Sequence, residues 1–336
     1  MNDKNELLKG KKILFFAPAF FNYENVIKEK MEQMGAVVYL YDERTVKSAF
    51  LRALNKIVPI WFHSHSHKYF QQIINKHNDE DFDYIFVIKS DMVPIKTLKE
   101  LKASFCNATL ILYLYDSIKD IPGIEKQFDY YDRILTFDRA DSIKNKRLVH
   151  RPLFFGDDYL ATGQEKEYTY DIAFIGTIHS DRFRILKQIA QQATSLNMKA
   201  YWFFFLQAKF MFYVFWATKW EYKSRDKHFF TTTKMSGHEI ASIVDKTRVI
   251  IDIESPGQIG LTMRTIEMLG LKKKLITTNP DVVHYDFYHP NNICVIDRNK
   301  PTLDVDFVKK TYCDIDKTIY QRYHICSWIT DVFNVS

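Results

Sequence analysis

Ser255-Pro256-Gly257-Gln258-Ile259-Gly260-Leu261-Thr262-Met263-Arg264-Thr265-Ile266-Glu267-Met268-Leu269-Gly270, followed by Lys274-Leu275-Ile276-Thr277-Thr278-Asn279, reads as a glycine-bearing loop, a short helix and a buried strand. Such a junction is an anion cradle. Gly260, with Leu261 beside it, lets backbone approach a ligand closely, Thr262 can cap the helix, and the first-turn amides favour a phosphate. Arg264 and Glu267, one turn apart, then offer a donor for phosphate and an acceptor for ribose hydroxyls. The plainer alternative is an ion pair on a solvent-facing helix, worth roughly a few tenths of a kcal/mol.

The same strand-helix grammar extends to both sides. Apolar runs at Lys12 to Ala17, Val37 to Tyr41, Asp83 to Ile88, Thr109 to Tyr115 and Arg133 to Phe137 alternate with helical spacing at Asn22 to Met34 and Ile95 to Ala103. Continuous apolar strands separated by helices imply a parallel sheet covered on both faces. His150 to Asp158 breaks the pattern, and a second start follows: Asp171 to Ile175, a helix from Arg182 to Leu196, and a strand from Met198 to Phe205. A helix around His238 to Lys246 and a strand from Arg248 to Ile253 lead into the opening stretch. The order predicts an α/β protein of two tandem Rossmann-like, doubly wound domains, residues 1–150 and 151–318. A helix from Ile319 to Phe333 occupies the remaining segment, 319–336.

At 336 residues and 46% hydrophobic content, the chain can fill a core in each domain. The 47 basic and 41 acidic side chains nearly cancel, so the net charge of +6 fits a nucleotide-sugar or phospholipid partner and requires no nucleic acid. Cys106, Cys294, Cys313 and Cys326 are widely spaced, against a zinc knuckle or a disulfide framework. The polar start, Met1 to Glu6, leads straight into a strand, so the expectation is a cytoplasmic protein with no signal peptide.

Specific wording adds a resemblance. Tyr170-Asp171-Ile172-Ala173-Phe174-Ile175-Gly176-Thr177 with Arg182, then Lys234-Met235-Ser236, then Gln258 to Glu267, resembles the CgeB-like group of bacterial glycosyltransferases of the GT-B fold, associated with capsule, lipopolysaccharide and exopolysaccharide assembly. The resemblance covers about the last half of the chain in wording and the first only in architecture. It implies a nucleotide-sugar donor on the second domain and a glycan or lipid-linked glycan acceptor on the first. It also implies a final helix that crosses back to the first domain, domain closure that excludes water, and no required metal. Retaining enzymes of the commonest GT-B type carry two glutamates eight positions apart here. Ile259 stands eight before Glu267 and Glu254 thirteen before, so the stereochemical outcome cannot be copied.

Gly176, Thr177, His179 and Arg182 follow the first strand of the second domain, where donor contacts are expected; the alternative is a plain turn with Ser180 or Asp181 as cap. Gln258 and Thr262 are expected on phosphate or sugar hydroxyls, and Lys234 is a further phosphate candidate. For the base that deprotonates an acceptor hydroxyl, Asp116 and Asp91 qualify because each follows a buried strand. His63, His65 and His67 lack partners at ligand spacing and are read as an acceptor-pocket lining, not a metal site. Asp304-Val305-Asp306 and Asp314-Ile315-Asp316 are read as turns and caps. Tyr201 to Trp220 is unusually aromatic. With Lys219, Lys223 and Arg225 behind it, and Arg44, Lys47, Arg52 and Lys56 elsewhere, it can rest on the inner membrane; the alternative is a core strand plus a packed insertion. Two other functions share these features: a nucleotide-sugar epimerase, and a non-catalytic cytosolic nucleotide- or sugar-binding protein.

Overall fold

The computed structural model describes residues 6–44, 60–161, 167–218 and 230–335. The chain divides into two compact units, Met1–Leu153 with His324–Ser336, and Phe154–Tyr323. The first holds β1 (Lys12–Ala17), α1 (Tyr23–Gln33), β2 (Val37–Asp42), α2 (Ile60–Lys76), β3 (Tyr84–Ile88), α3 (Ile95–Ser104), β4 (Thr109–Leu114), β5 (Arg133–Thr136), α4 (Arg139–Lys144) and β6 (Val149–His150). Its sheet runs β2-β1-β3-β4-β5-β6, every pair parallel.

Alternation along β1 explains why the whole run is apolar. Leu14 and Phe16 enter a core with Phe70 of α2 and Leu98 of α3, while Phe15 stacks on Phe86 of β3 at 5.0 Å. Ile13 to Ala17 of β1 and Ile85 to Ile88 of β3 are all buried, as a sheet covered on both faces requires.

The second unit holds β7 (Tyr170–Thr177), α5 (Arg182–Ser195), β8 (Ala200–Phe205), α6 (Lys209–Thr218), β9 (Phe230–Thr231), α7 (Gly237–Asp245), β10 (Thr247–Asp252), α8 (Met263–Gly270), β11 (Lys274–Thr277), β12 (Ile293–Val295), α9 (Val305–Lys309) and α10 (Lys317–Arg322). Its parallel sheet runs β9-β8-β7-β10-β11-β12. The aromatic tract resolves into β8, paired along its length with β7, and α6, whose Phe212 and Phe215 pack on the core beside Phe230. Among the described residues no helix is long and apolar enough to cross a membrane. Lys47, Arg52, Lys56, Lys219, Trp220, Lys223 and Arg225 lie outside the described residues.

The single helix read from Ile319 to Phe333 is two. The chain breaks at His324, whose extended backbone and side chain cap α11 (Ile325–Phe333) by accepting from the Cys326 amide. Helix α10 stays in the second unit, where the Tyr320 hydroxyl donates to the Gly270 carbonyl at 2.6 Å. Helix α11 belongs to the first unit. There the fully buried Trp328 meets Tyr113 of β4 edge-on at 4.8 Å, and Asp331 pairs with Arg151 at 2.7 Å.

Candidate functional site

Each sheet reverses its winding direction once, and in open α/β sheets ligands bind at that point, beyond the carboxyl ends of the strands. In the second unit the reversal lies between β7 and β10. The loop after β7 carries Gly176, Thr177, His179 and Arg182; the loop after β10 carries Gln258, Gly260, Leu261 and Thr262 and feeds α8 with Arg264 and Glu267. The structure therefore brings the two sequence segments to one edge.

Thr262 caps α8: its hydroxyl accepts from the Thr265 amide at 3.2 Å and donates to Asp252 at the end of β10, where Thr265 Oγ1 also donates at 3.1 Å. Glu267 is no surface residue. It is 3% exposed, 3.5 Å from Arg264, and hydrogen-bonded to Tyr159, whose hydroxyl is pushed above its ordinary pKa by burial and then by the Glu267 charge. The solvent-facing ion pair is thereby excluded. Gly270 closes this arrangement, because a Cβ there would stand 2.5 Å from the Tyr159 carbonyl.

Arg182 donates to the Thr177 carbonyl at 2.7 Å and keeps its Nε buried without a hydrogen-bond partner. Burial draws its guanidinium below the ordinary value, opposed by the charges of Asp252 and Glu254. An anion arriving at this edge meets a poorly solvated cation. Behind α8 the interior has a gap of about 10 Å³, room for one water.

In the loop after β10, the left-handed turn falls on Gly257 (φ 73°), and the Gln258 side-chain amide donates to the Gly260 carbonyl at 2.9 Å. His179 reaches the neighbouring Ser180 at 3.3 Å. Lys234 is exposed after β9, at the far edge of the sheet. Asp181 does not cap α5 with its side chain; it accepts both bonds of a bidentate pair from Arg298, each 2.9 Å.

Arg298 has no counterpart in the sequence reading. It follows the three-residue strand β12, too short to announce itself, yet it also grips the buried Glu254 carboxylate, donates to the Glu254 carbonyl at 2.7 Å and reaches Thr278 at 3.3 Å. Burial opposes its charge, but Asp181 and Glu254 outweigh that and hold the guanidinium above its usual value. Four carboxyl-edge loops are thus tied by one side chain.

In the first unit the reversal lies between β1 and β3, where a cavity of about 90 Å³ is lined by Phe20, Tyr23, Arg44, Lys89, Tyr115 and Asp116. Lys89 joins the two candidate bases, 3.2 Å from Asp91 and 2.9 Å from Asp116. Burial works against its charge, and the two aspartates outweigh burial to raise it above the ordinary lysine value. Asp91 is the deeper of the two, backed by Glu43. Glu43 is fully buried and accepts from the Met92 amide at 2.9 Å, and burial, then the Asp91 charge, push its carboxyl well above the usual range. Asp116, 45% exposed, is the carboxylate open to a ligand.

Among the described residues no three His, Cys, Asp or Glu side chains gather as a metal site. His67 turns to Thr97 at 3.2 Å and Glu100 at 3.4 Å, away from the cavity lining, so it lines no acceptor pocket there; the side chain of His63 lies outside the described residues. Asp304 and Asp316 cap α9 and α10, and Asp314 pairs with Lys272.

Two six-stranded parallel sheets of this order define the GT-B fold, and solved GT-B glycosyltransferases share it. The chain superposes on HepE (Alr3699) from Anabaena in complex with UDP-glucose with a TM-score of 0.63 at 10% identity, covering 96% of this chain and 98% of that one. It superposes on the UDP-forming α,α-trehalose-phosphate synthase of Burkholderia vietnamiensis with a TM-score of 0.61 at 10% identity (97% and 100% covered). For the catalytic domain of starch synthase IV from Arabidopsis thaliana, bound to ADP and acarbose, the TM-score is 0.53 at 8% identity (97% and 95% covered). The sequence matches no family model and no curated protein.

Proposed function

We propose that this protein is a glycosyltransferase that takes a sugar from a nucleoside-diphosphate donor held at the β7–β10 edge and passes it to an acceptor held by the first unit. The observation that carries the reading is the conjunction at that edge: a capped helix N-terminus, the half-solvated cations Arg182 and Arg264, and a buried Glu267 fixed by Tyr159. Cation and helix dipole match a diphosphate, and a carboxylate one turn further along matches ribose hydroxyls. The HepE structures with UDP-glucose, and with UDP and glucose, make a UDP-hexose the first donor to try.

In this reading the departing diphosphate is stabilised by Arg182, Arg264 and the α8 amides, a role a divalent ion fills elsewhere, so transfer is expected to survive a chelator. Asp116 takes the proton of the acceptor hydroxyl. The CgeB-like wording supports a bacterial surface glycan as acceptor, and the aromatic, lysine-flanked tract supports peripheral contact with the inner membrane. A thermal-shift screen of nucleoside diphosphates and their sugars tests the donor half: a native-state ligand raises the unfolding midpoint by mass action. No shift with any of them would remove the proposal. Release of the nucleoside diphosphate only when acceptor is added separates transfer from epimerisation or simple binding.

A further inference from the structure

The cavity of the first unit stands at a topological switch point, and both loops that flank it are strained. Phe21 and Asn22 after β1 (φ 50° and 69°) and Lys89 and Ser90 after β3 (φ 81° and 64°) are consecutive non-glycine residues in the left-handed region. Such conformations persist only where surrounding structure enforces them, and they gather at ligand sites. The enforcement is visible at Ser90, whose hydroxyl bonds to Gln127 and Tyr131, each at 2.7 Å, while the Gln127 amide holds the Ser90 carbonyl at 3.1 Å. The result is a Lys89 ammonium aimed between Asp91 and Asp116 at the cavity wall.

The charges around this cavity are already matched. Lys89 is paired with two aspartates, and Arg44 is tied to the Ala19 carbonyl and to Asp42 at 3.6 Å. Glu24, on the wall, accepts from the Phe20 amide at 3.0 Å. Of the residues lining the cavity, Arg44 and Lys89 are balanced by Glu24 and Asp116, and Asp42 and Asp91 engage the same two cations from outside the lining, so a phosphate or carboxylate on the ligand would find each of these cations already paired. Phe20, 47% exposed, with Tyr23 and Tyr115, supplies aromatic surface beside the Lys89–Asp116 pair.

Aromatic edges with an ammonium and a carboxylate side by side are what an uncharged pyranose requires: its C–H face lies on rings, one hydroxyl donates to the carboxylate and its neighbour accepts from the ammonium. We infer that the β1–β3 cavity binds a neutral sugar and discriminates against phosphorylated or acidic ones. That this sugar is the acceptor rests on the transferase reading above; the binding and its selectivity do not.

The test is calorimetric or saturation-transfer titration of the full chain with neutral methyl hexosides, the corresponding hexose 6-phosphates and hexuronates, alongside a separate titration with UDP. The neutral hexoside should bind about tenfold tighter than its charged counterparts, since an anionic sugar would approach Glu24 and Asp116 while both wall cations are already paired. Asp116→Asn should weaken the neutral sugar and narrow or reverse that preference, because Lys89 then has one carboxylate fewer. Phe20→Ala, at an exposed position, should weaken all pyranosides with an unchanged unfolding midpoint. Tighter binding of a charged sugar to the wild type, no binding of any pyranoside, or unaltered selectivity in Asp116→Asn would overturn the inference. Sugar binding with no shift from UDP or any other nucleoside diphosphate of the screen above would sink the transferase reading and leave this one standing; the converse would do the opposite.

Discussion

The carboxyl edges of the two sheets are built from the same architecture and finished in opposite ways. At the β7–β10 edge, Arg298 braces four loops and the protein's own hydroxyls satisfy Asp252, leaving a rim with buried cation character at Arg182. At the β1–β3 edge the loops line a cavity, consecutive residues take left-handed backbone, and the Lys89 ammonium is doubly paired. A cross-braced rim with an incompletely hydrogen-bonded guanidinium at Arg182 suits a constant, strongly charged group; a matched-charge cavity suits a ligand recognised by shape and hydroxyls.

The contrast can be broken most severely at the brace. Arg298→Ala removes the ion-pair partner of the buried Glu254 and leaves Asp181 with Arg184, and should destabilise the second unit by about 3 kcal/mol, because an orphaned buried carboxylate is expensive. Arg298→Lys should recover only part, since an ammonium cannot make the bidentate pair. Thermal unfolding of the variants decides it, and an unshifted midpoint would reduce the brace to a surface contact. Next in size, Asp116→Asn should lower kcat by about a hundredfold while leaving the affinity for nucleotide unchanged. Full turnover would remove Asp116 as the base.

A change on the β7–β10 rim should have the reverse signature. Glu267→Ala is expected to weaken nucleotide-sugar binding about tenfold in calorimetry, the loss of one charge-assisted pair of hydrogen bonds. Thr262→Ala should cost about 1 kcal/mol of stability as a lost helix cap.

The smallest and most selective probe is pH. Glu43 binds its proton more tightly folded than unfolded, so the stability it contributes is full below the ordinary carboxyl range and is lost as pH rises through its raised folded value. Glu43→Gln cannot titrate. Its stability relative to wild type should therefore improve as pH rises from acid to neutral, and denaturant midpoints across that range will show a flat difference if the assignment is wrong.

Much of this architecture is legible in one dimension. Apolar runs such as Lys12–Ala17 and Lys274–Thr277 are sealed on both sides, and only a parallel sheet buried on both faces demands that pattern. Helix caps are equally local: Thr262 and the Asp304 and Asp316 caps lie within three residues of the amides they serve. Helix α2 and the strands β6, β9 and β12 escaped because two- or three-residue strands carry no period, and α2 is polar enough to hide its buried stripe. Lys89 and Ser90 gave no sign either, since a left-handed turn is normally announced by glycine.

By itself the sequence determined the class of fold, the succession of two parallel sheets and the loop-to-helix junction capped by Thr262, because hydrophobic period, glycine placement and capping act over a few residues. Tertiary structure alone decided that Glu267 is buried against Tyr159, that Arg298 joins loops 44 and 117 residues away, and that Lys89 stands between Asp91 and Asp116. Ion pairs and burial depend on distance in space, and a parallel sheet brings to one edge residues that the chain itself keeps far apart.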